Sequence, residues 1–179
     1  MDELRRRIFI GLPLAVSTLS HAMFSSARAK PVADTSLSIG GAVAPSAELS
    51  ARSLRTSPLA APLPPIALTT CTGTFKRNLT AYRGIRLTDL LDQARIEAPD
   101  HNGVKRAYVV VSARDNYTVM FSWSELYNSS VGAGVFVLVD RDGHELPHSE
   151  GPLALISRED LRTGPRHVRW LKTIEVRHV

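Results

Sequence analysis

Apolar and polar residues alternate in short bursts along most of the chain, the period-two signature of half-buried β-strands. Only one stretch carries a clear helical period. Leu37, Ile39 and Val43 predict a first strand, with Gly40 and Gly41 allowing a bend or bulge. Residues 51–56 read as a short helix that Ser50 is placed to cap. Pro58, Pro62, Pro64 and Pro65 then keep the chain extended up to a strand over residues 66–72, ending at Cys71. The polar, glycine-bounded residues 73–84 read as a loop. In residues 87–94, Leu87, Leu90, Leu91 and Ala94 share one helical face and Thr88 can cap it. The β-branched residues 107–112 predict a strand, with residues 117–121 its hairpin partner across Arg114, Asp115 and Asn116. Ser124 and Glu125 open a brief helical turn, and Asp142-Gly143 is a tight turn. Residues 135–139 and 153–156 predict buried strands, Glu159-Asp160 the first turn of a helix, and residues 168–176 a long last strand. The expected architecture is one α+β domain over residues 37–179, mainly antiparallel sheets with short helices.

The first 29 residues follow a different pattern. Arg5, Arg6 and Arg7 lead into an apolar run from Ile8 to about Phe24, and Ala27-Arg28-Ala29 supplies a small-x-small cleavage site. That order is the signature of a secretory signal, with a mature start near Lys30 and a flexible leader over residues 30–36. Gly11, Pro13, Ser17, Thr18, Ser20 and His21 interrupt the apolar run, so it is a poor permanent membrane span. Arg6-Arg7-Ile8-Phe9-Ile10 also resembles the twin-arginine export motif. The expected location is therefore the periplasm, reached through a cleaved signal.

Charge narrows the partners. The chain of 179 residues carries a formal +5, of which residues 1–29 hold +2 (Arg5, Arg6, Arg7 and Arg28 against Asp2 and Glu3) and the remainder +3. That is too mild a balance for a nucleic-acid binder. The single cysteine, Cys71, cannot form an internal disulfide, so in an exported protein it is free, bound to something or joined to another chain.

Several segments, in order, resemble the molybdopterin-binding domain of the sulfite oxidase family. They are Thr69-Thr70-Cys71-Thr72-Gly73, Tyr82-Arg83-Gly84-Ile85-Arg86-Leu87 with its Leu-rich helix, Ala113-Arg114-Asp115-Asn116-Tyr117, Asp142-Gly143-His144-Glu145-Leu146-Pro147, Gly151-Pro152-Leu153 and His167-Val168-Arg169-Trp170-Leu171. The resemblance runs from about residue 37 to the C-terminus and implies that family's fold and a pterin or molybdopterin as cofactor. The family's enzymes carry a second domain or an N-terminal segment with a histidine, neither of which the sequence shows. Gly164-Pro165-Arg166-His167 also replaces the family's usual Tyr-Gly-rich loop.

The resemblance makes Cys71 the candidate molybdenum ligand, since a soft thiolate suits that metal. Lys76 and Arg77 follow it, and Arg162, Arg166, His167, Arg169 and Lys172 cluster late in the chain. Arg166 and His167 precede the last strand on a loop and are candidate contacts to the polar or phosphate groups of a pterin. For Arg169 and Lys172, members of the same cluster, plain solvation on alternate strand positions is the competing reading. Trp170 is a candidate stacking partner, a role that competes with ordinary core packing. Tyr117 and Asp115 sit where the family has a turn beside its site, which a plain Asx-type hairpin turn explains equally well. The six histidines lack metal spacing, no Gly-x-Ser-x-Gly elbow occurs, and Gly132-Ala133-Gly134 is too short for a nucleotide loop. Two functions follow: a periplasmic pterin- or molybdopterin-binding protein that presents its ligand state to a membrane signalling partner, or a minimal molybdenum-dependent oxidoreductase working with a separate redox subunit. A structural adaptor that binds neither is the third.

Overall fold

Alternation in the sequence becomes twelve strands and four short helices in a computed structural model that describes residues 36–98, 100 and 102–179. The expected signal and most of the leader lie outside the described residues. In chain order the elements are β1 (Ser36–Gly41), β2 (Ala47–Ser50), α1 (Ala51–Arg55), β3 (Ala61–Pro62), β4 (Ile66–Thr69), β5 (Phe75–Leu79) and β6 (Tyr82–Arg86). Then come α2 (Leu87–Ala94), β7 (Ala107–Ala113), β8 (Thr118–Ser122), α3 (Trp123–Tyr127), α4 (Ser130–Ala133), β9 (Val135–Arg141), β10 (Ala154–Ser157), β11 (Val168–Arg169) and β12 (Leu171–His178).

The strands build two five-stranded sheets, ordered β2-β1-β12-β7-β8 and β11-β10-β9-β6-β3, and a separate β4-β5 hairpin. Every strand pairing is antiparallel except β1 with β12, which run parallel with Ile39 opposite Ile174. Alternate residues of the first sheet (Leu37, Ile39, Val109, Val111, Phe121, Ile174 and Val176) turn inward and are almost fully buried against Val135, Val137, Val139 and Leu155 of the second. The other face of the second sheet is also covered. Leu138, Ala154 and Ile156 pack there with Ile66, Leu68 and Leu79 of the β4-β5 hairpin. Burial on both faces is why β9 and β10 read as unbroken apolar runs. The result is the expected single α+β domain of mainly antiparallel sheets.

Five local expectations need correction. Residues 73–84 are not one loop, because β5 pairs with β4. Only Leu79 of that strand is buried, so it shows no alternation. The strand before Cys71 stops at Thr69, which places the cysteine in the turn that follows. Thr88 does not cap α2; Arg86 holds the cap position without a side-chain bond, and Thr88 is itself buried. Glu159 and Asp160 lie in a turn that starts no helix, where Asp160 accepts a 2.8 Å hydrogen bond from Ser157.

The expected long last strand is two strands in different sheets. Arg169 pairs with Ala154 in the second sheet, whereas Leu171 pairs with Ala113 in the first. Between them Trp170 adopts a left-handed φ of 54°. Its N–H donates to Glu150 O (2.7 Å) and its carbonyl accepts from Arg114 N (3.0 Å), so the turn leaves neither group unpaired. Gly151 makes the turn possible: a Cβ there would come within 2.9 Å of Trp170 Cα.

Helix α3 shows a complete capping box. Ser122 Oγ accepts from Glu125 N (3.1 Å), and Glu125 Oε2 accepts from Ser122 N (2.8 Å). Ser122→Ala is expected to lower stability by about 1 kcal/mol, read from the urea unfolding midpoint at unchanged slope.

Candidate functional site

A cleft of about 780 Å³ opens where the β4-β5 turn, the Ser149-Glu150 turn and residues 164–169 meet. Threonines tie its walls together. Thr163 is buried and donates through Oγ1 to Ala67 O (2.7 Å), accepts from Thr69 N (3.0 Å), and donates its own N–H to Thr69 Oγ1 (3.1 Å). Gly164 must be glycine for the walls to approach so closely, since a Cβ would sit 2.1 Å from Thr69 O. Tyr117 spans the cleft from the β7-β8 turn, its hydroxyl donating to Pro165 O at 2.5 Å.

Five of the residues expected at the site line the cleft: Cys71, Lys76, Arg77, Tyr117 and His167. Cys71 is exposed with a free thiol. It lies in the turn closed by Gly73 N to Thr70 O (3.0 Å) and Thr74 N to Thr70 Oγ1 (3.0 Å), and its carbonyl accepts from Arg162 Nη1 (2.6 Å).

Arg166 and Trp170 were expected there and stand elsewhere. The Arg166 guanidinium pairs with Glu125 (3.0 Å) and Asp160 (2.9 Å) and lies 4.6 Å over the Phe121 ring. Two carboxylates and an aromatic face therefore occupy the group assigned to a ligand. Trp170 packs on Gly151, edge-on to His148 at 5.2 Å and under the Arg114 guanidinium at 5.1 Å. Its role is to fill the sheet-switching turn, and it is absent from the cleft lining.

Sequence reasoning missed Glu150. Glu150 is fully buried; its Oε1 pairs with Arg77 Nη2 at 2.9 Å and its Oε2 lies 2.6 Å from His167 Nε2. Burial alone pulls the Glu150 carboxyl upward, but the His167 hydrogen bond, the positive charge of the His167 ring when protonated, and the nearby Arg77 and Arg169 charges outweigh it and hold the group below its ordinary value. Arg169, for which the sequence left solvation and ligand contact both open, lines the same cleft. Neither it nor Lys76 forms an ion pair among the described residues. The signal for Glu150 was an acid directly before Gly151-Pro152, which reads as an ordinary turn until its partners are known.

The donors in the cleft are a thiol, two unpaired cations, and a carboxylate already matched to an arginine and a histidine. Among the described residues no group of three or more His, Cys, Asp or Glu side chains could hold a metal by itself. No protein-family model and no curated protein matches the sequence. Among solved structures, the chain is similar to the sulfane dehydrogenase SoxCD from Paracoccus pantotrophus, with a TM-score of 0.54 and 16% identity. The chain shares its fold with part of that protein. The match covers 80% of this chain and 38% of the other, so the chain spans well under half of SoxCD's matched chain. At that identity the likeness establishes the fold alone, and it is the mixed, mainly antiparallel arrangement that the resemblance implied.

Proposed function

We propose that the protein is a periplasmic pterin- or molybdopterin-binding protein that presents its ligand state to a membrane signalling partner. The observation that carries the reading is the cleft itself, lined by Lys76 and Arg169, neither of which forms an ion pair among the described residues. Unpaired cations suit the phosphate of a molybdopterin, and a soft thiolate suits the metal that its dithiolene holds. The donor set therefore fits the group. Cys71 would be its protein ligand, with Lys76 and Arg169 set against its anionic end. When bound, such a cofactor supplies oxygen-atom or electron transfer, and that is the second reading, a minimal molybdenum-dependent oxidoreductase with a separate redox subunit. The accessibility of Cys71 favours this alternative, since a pterin-binding protein has no need of a thiol. The export signal read at residues 1–29 supports the location for either function.

Protein purified from its own periplasm is expected to release a fluorescent pterin on acid oxidation. If molybdenum accompanies it at about one per chain, Cys71→Ser should abolish the metal and leave the urea midpoint unchanged, because an exposed side chain contributes little to stability. Pterin without metal, indifferent to that substitution, selects the binding protein over the enzyme. Absence of any pterin from the purified protein overturns both.

A further inference from the structure

Among the described residues Glu150 is the only fully buried acid lining the cleft, and it holds groups from two walls: Arg77 on β5 and His167 just before β11. Its backbone is fixed as well, by Glu150 N donating to Pro147 O (2.8 Å) and Glu150 O accepting from Trp170 N (2.7 Å). A carboxylate so placed cannot swing toward solvent, and its oxygens only accept. The 2.6 Å contact to His167 therefore puts a proton on Nε2. Nδ1 bonds to nothing among the described residues, yet it is not among the sealed polar atoms that lack a partner. His167 is among the residues that line the cleft.

We infer that Glu150 is a positioning residue: it fixes a His167 proton on Nε2, so that whenever the ring is neutral its lone pair is on Nδ1, turned into the cleft as an acceptor for an N–H group of the ligand. A pterin carries such donors on its pyrimidine edge, in the exocyclic amine and the adjacent ring N–H. The inference rests on the pterin reading for its ligand, but the tautomer belongs to the protein alone. Arg77 has the complementary duty. Its ion pair balances Glu150, so its charge is spent inside the wall and the unpaired charge offered to a ligand comes from Lys76 and Arg169. With Glu150 removed, His167 is free to exchange tautomers and Arg77 to point into solution.

The test uses mature protein labelled with ¹⁵N-histidine. Its imidazole spectrum is recorded at a pH high enough to leave the ring neutral, with and without neopterin. The wild-type His167 should show the Nε2–H tautomer, and its Nδ1 resonance should move when neopterin is added. Glu150→Gln, close in shape, should give mixed tautomers and weaken neopterin binding about ten-fold, the loss expected from one misdirected buried hydrogen bond. An Nδ1–H tautomer in the wild type, or an Nδ1 resonance that neopterin leaves in place while binding occurs, overturns the inference without recourse to any variant. If neopterin fails to bind, the pterin reading falls instead, and the wild-type tautomer still decides whether Glu150 sets the imidazole.

Discussion

Phe121→Ala is expected to cost about 3–5 kcal/mol of folding stability, a large share of the roughly 5–15 kcal/mol that holds a domain of this size together. Phe121 has no exposed surface and stands opposite Val109 in the first sheet, where its ring fills the space between the sheets. Truncation to alanine leaves a cavity that the surrounding strands cannot close, because β8 is held in register with β7 over five residues. A second loss follows. The ring supports the Arg166 guanidinium from 4.6 Å, and Arg166 belongs to the 164–166 turn that leads into His167. Urea unfolding should therefore show a clear fall in midpoint, and pterin binding should weaken even where the variant remains folded. A loss below about 1 kcal/mol would mean that this position is not the packed centre its burial indicates.

The second large effect is expected at Arg83, which is not among the residues lining the cleft. Arg83 Nη1 pairs with Asp140 at 2.8 Å, and its Nη2 donates to Ala60 O at 2.9 Å. Asp140 is fully buried, and its Oδ1 has no hydrogen-bond partner among the described residues. Arg83→Met would leave that carboxylate buried without a counter-charge, at a cost of about 3–5 kcal/mol. The asymmetry of such pairs supplies the check. Replacing both residues, Arg83→Met with Asp140→Leu, should recover most of the loss, because the stranded charge is gone. A double variant as unstable as the single one would show that the pair matters through packing and not through charge.

How much was legible in advance depended on whether a feature advertised itself through apolar period. β1, β7, β8 and β9 were readable because one or both faces of each are buried, and so was the α2 face of Leu87, Leu90, Leu91 and Ala94. β5 was invisible because it holds its place by pairing to β4 with a single buried residue. The break at Trp170 was equally hidden. Nothing in His167-Val168-Arg169-Trp170-Leu171 marks a left-handed residue, and the cause is Gly151, distant in sequence. The candidate site followed the same logic. Cys71, Lys76, Arg77, Tyr117 and His167 were found through local motif and charge, and all reach one cleft. Arg166 was misplaced because Glu125 and Asp160, which engage it, come from other segments. Glu150 was overlooked for the same reason, since a buried acid is recognised by its partners and those lie on β5 and before β11.

The parallel pairing of β1 with β12 also governs when folding can happen. The two strands stand more than a hundred residues apart in sequence, and β12 occupies the middle of its sheet, between β1 and β7. Until the last strand has been synthesised, β1-β2 and β7-β8 are separate hairpins with nothing between them, and two-stranded hairpins are marginal alone. A nascent chain that has not yet reached β12 therefore lacks its first sheet, its apolar strands available to chaperones or to aggregation. Assembly of that sheet waits for β12 and then closes long loops at once, the slow regime for chains rich in distant contacts.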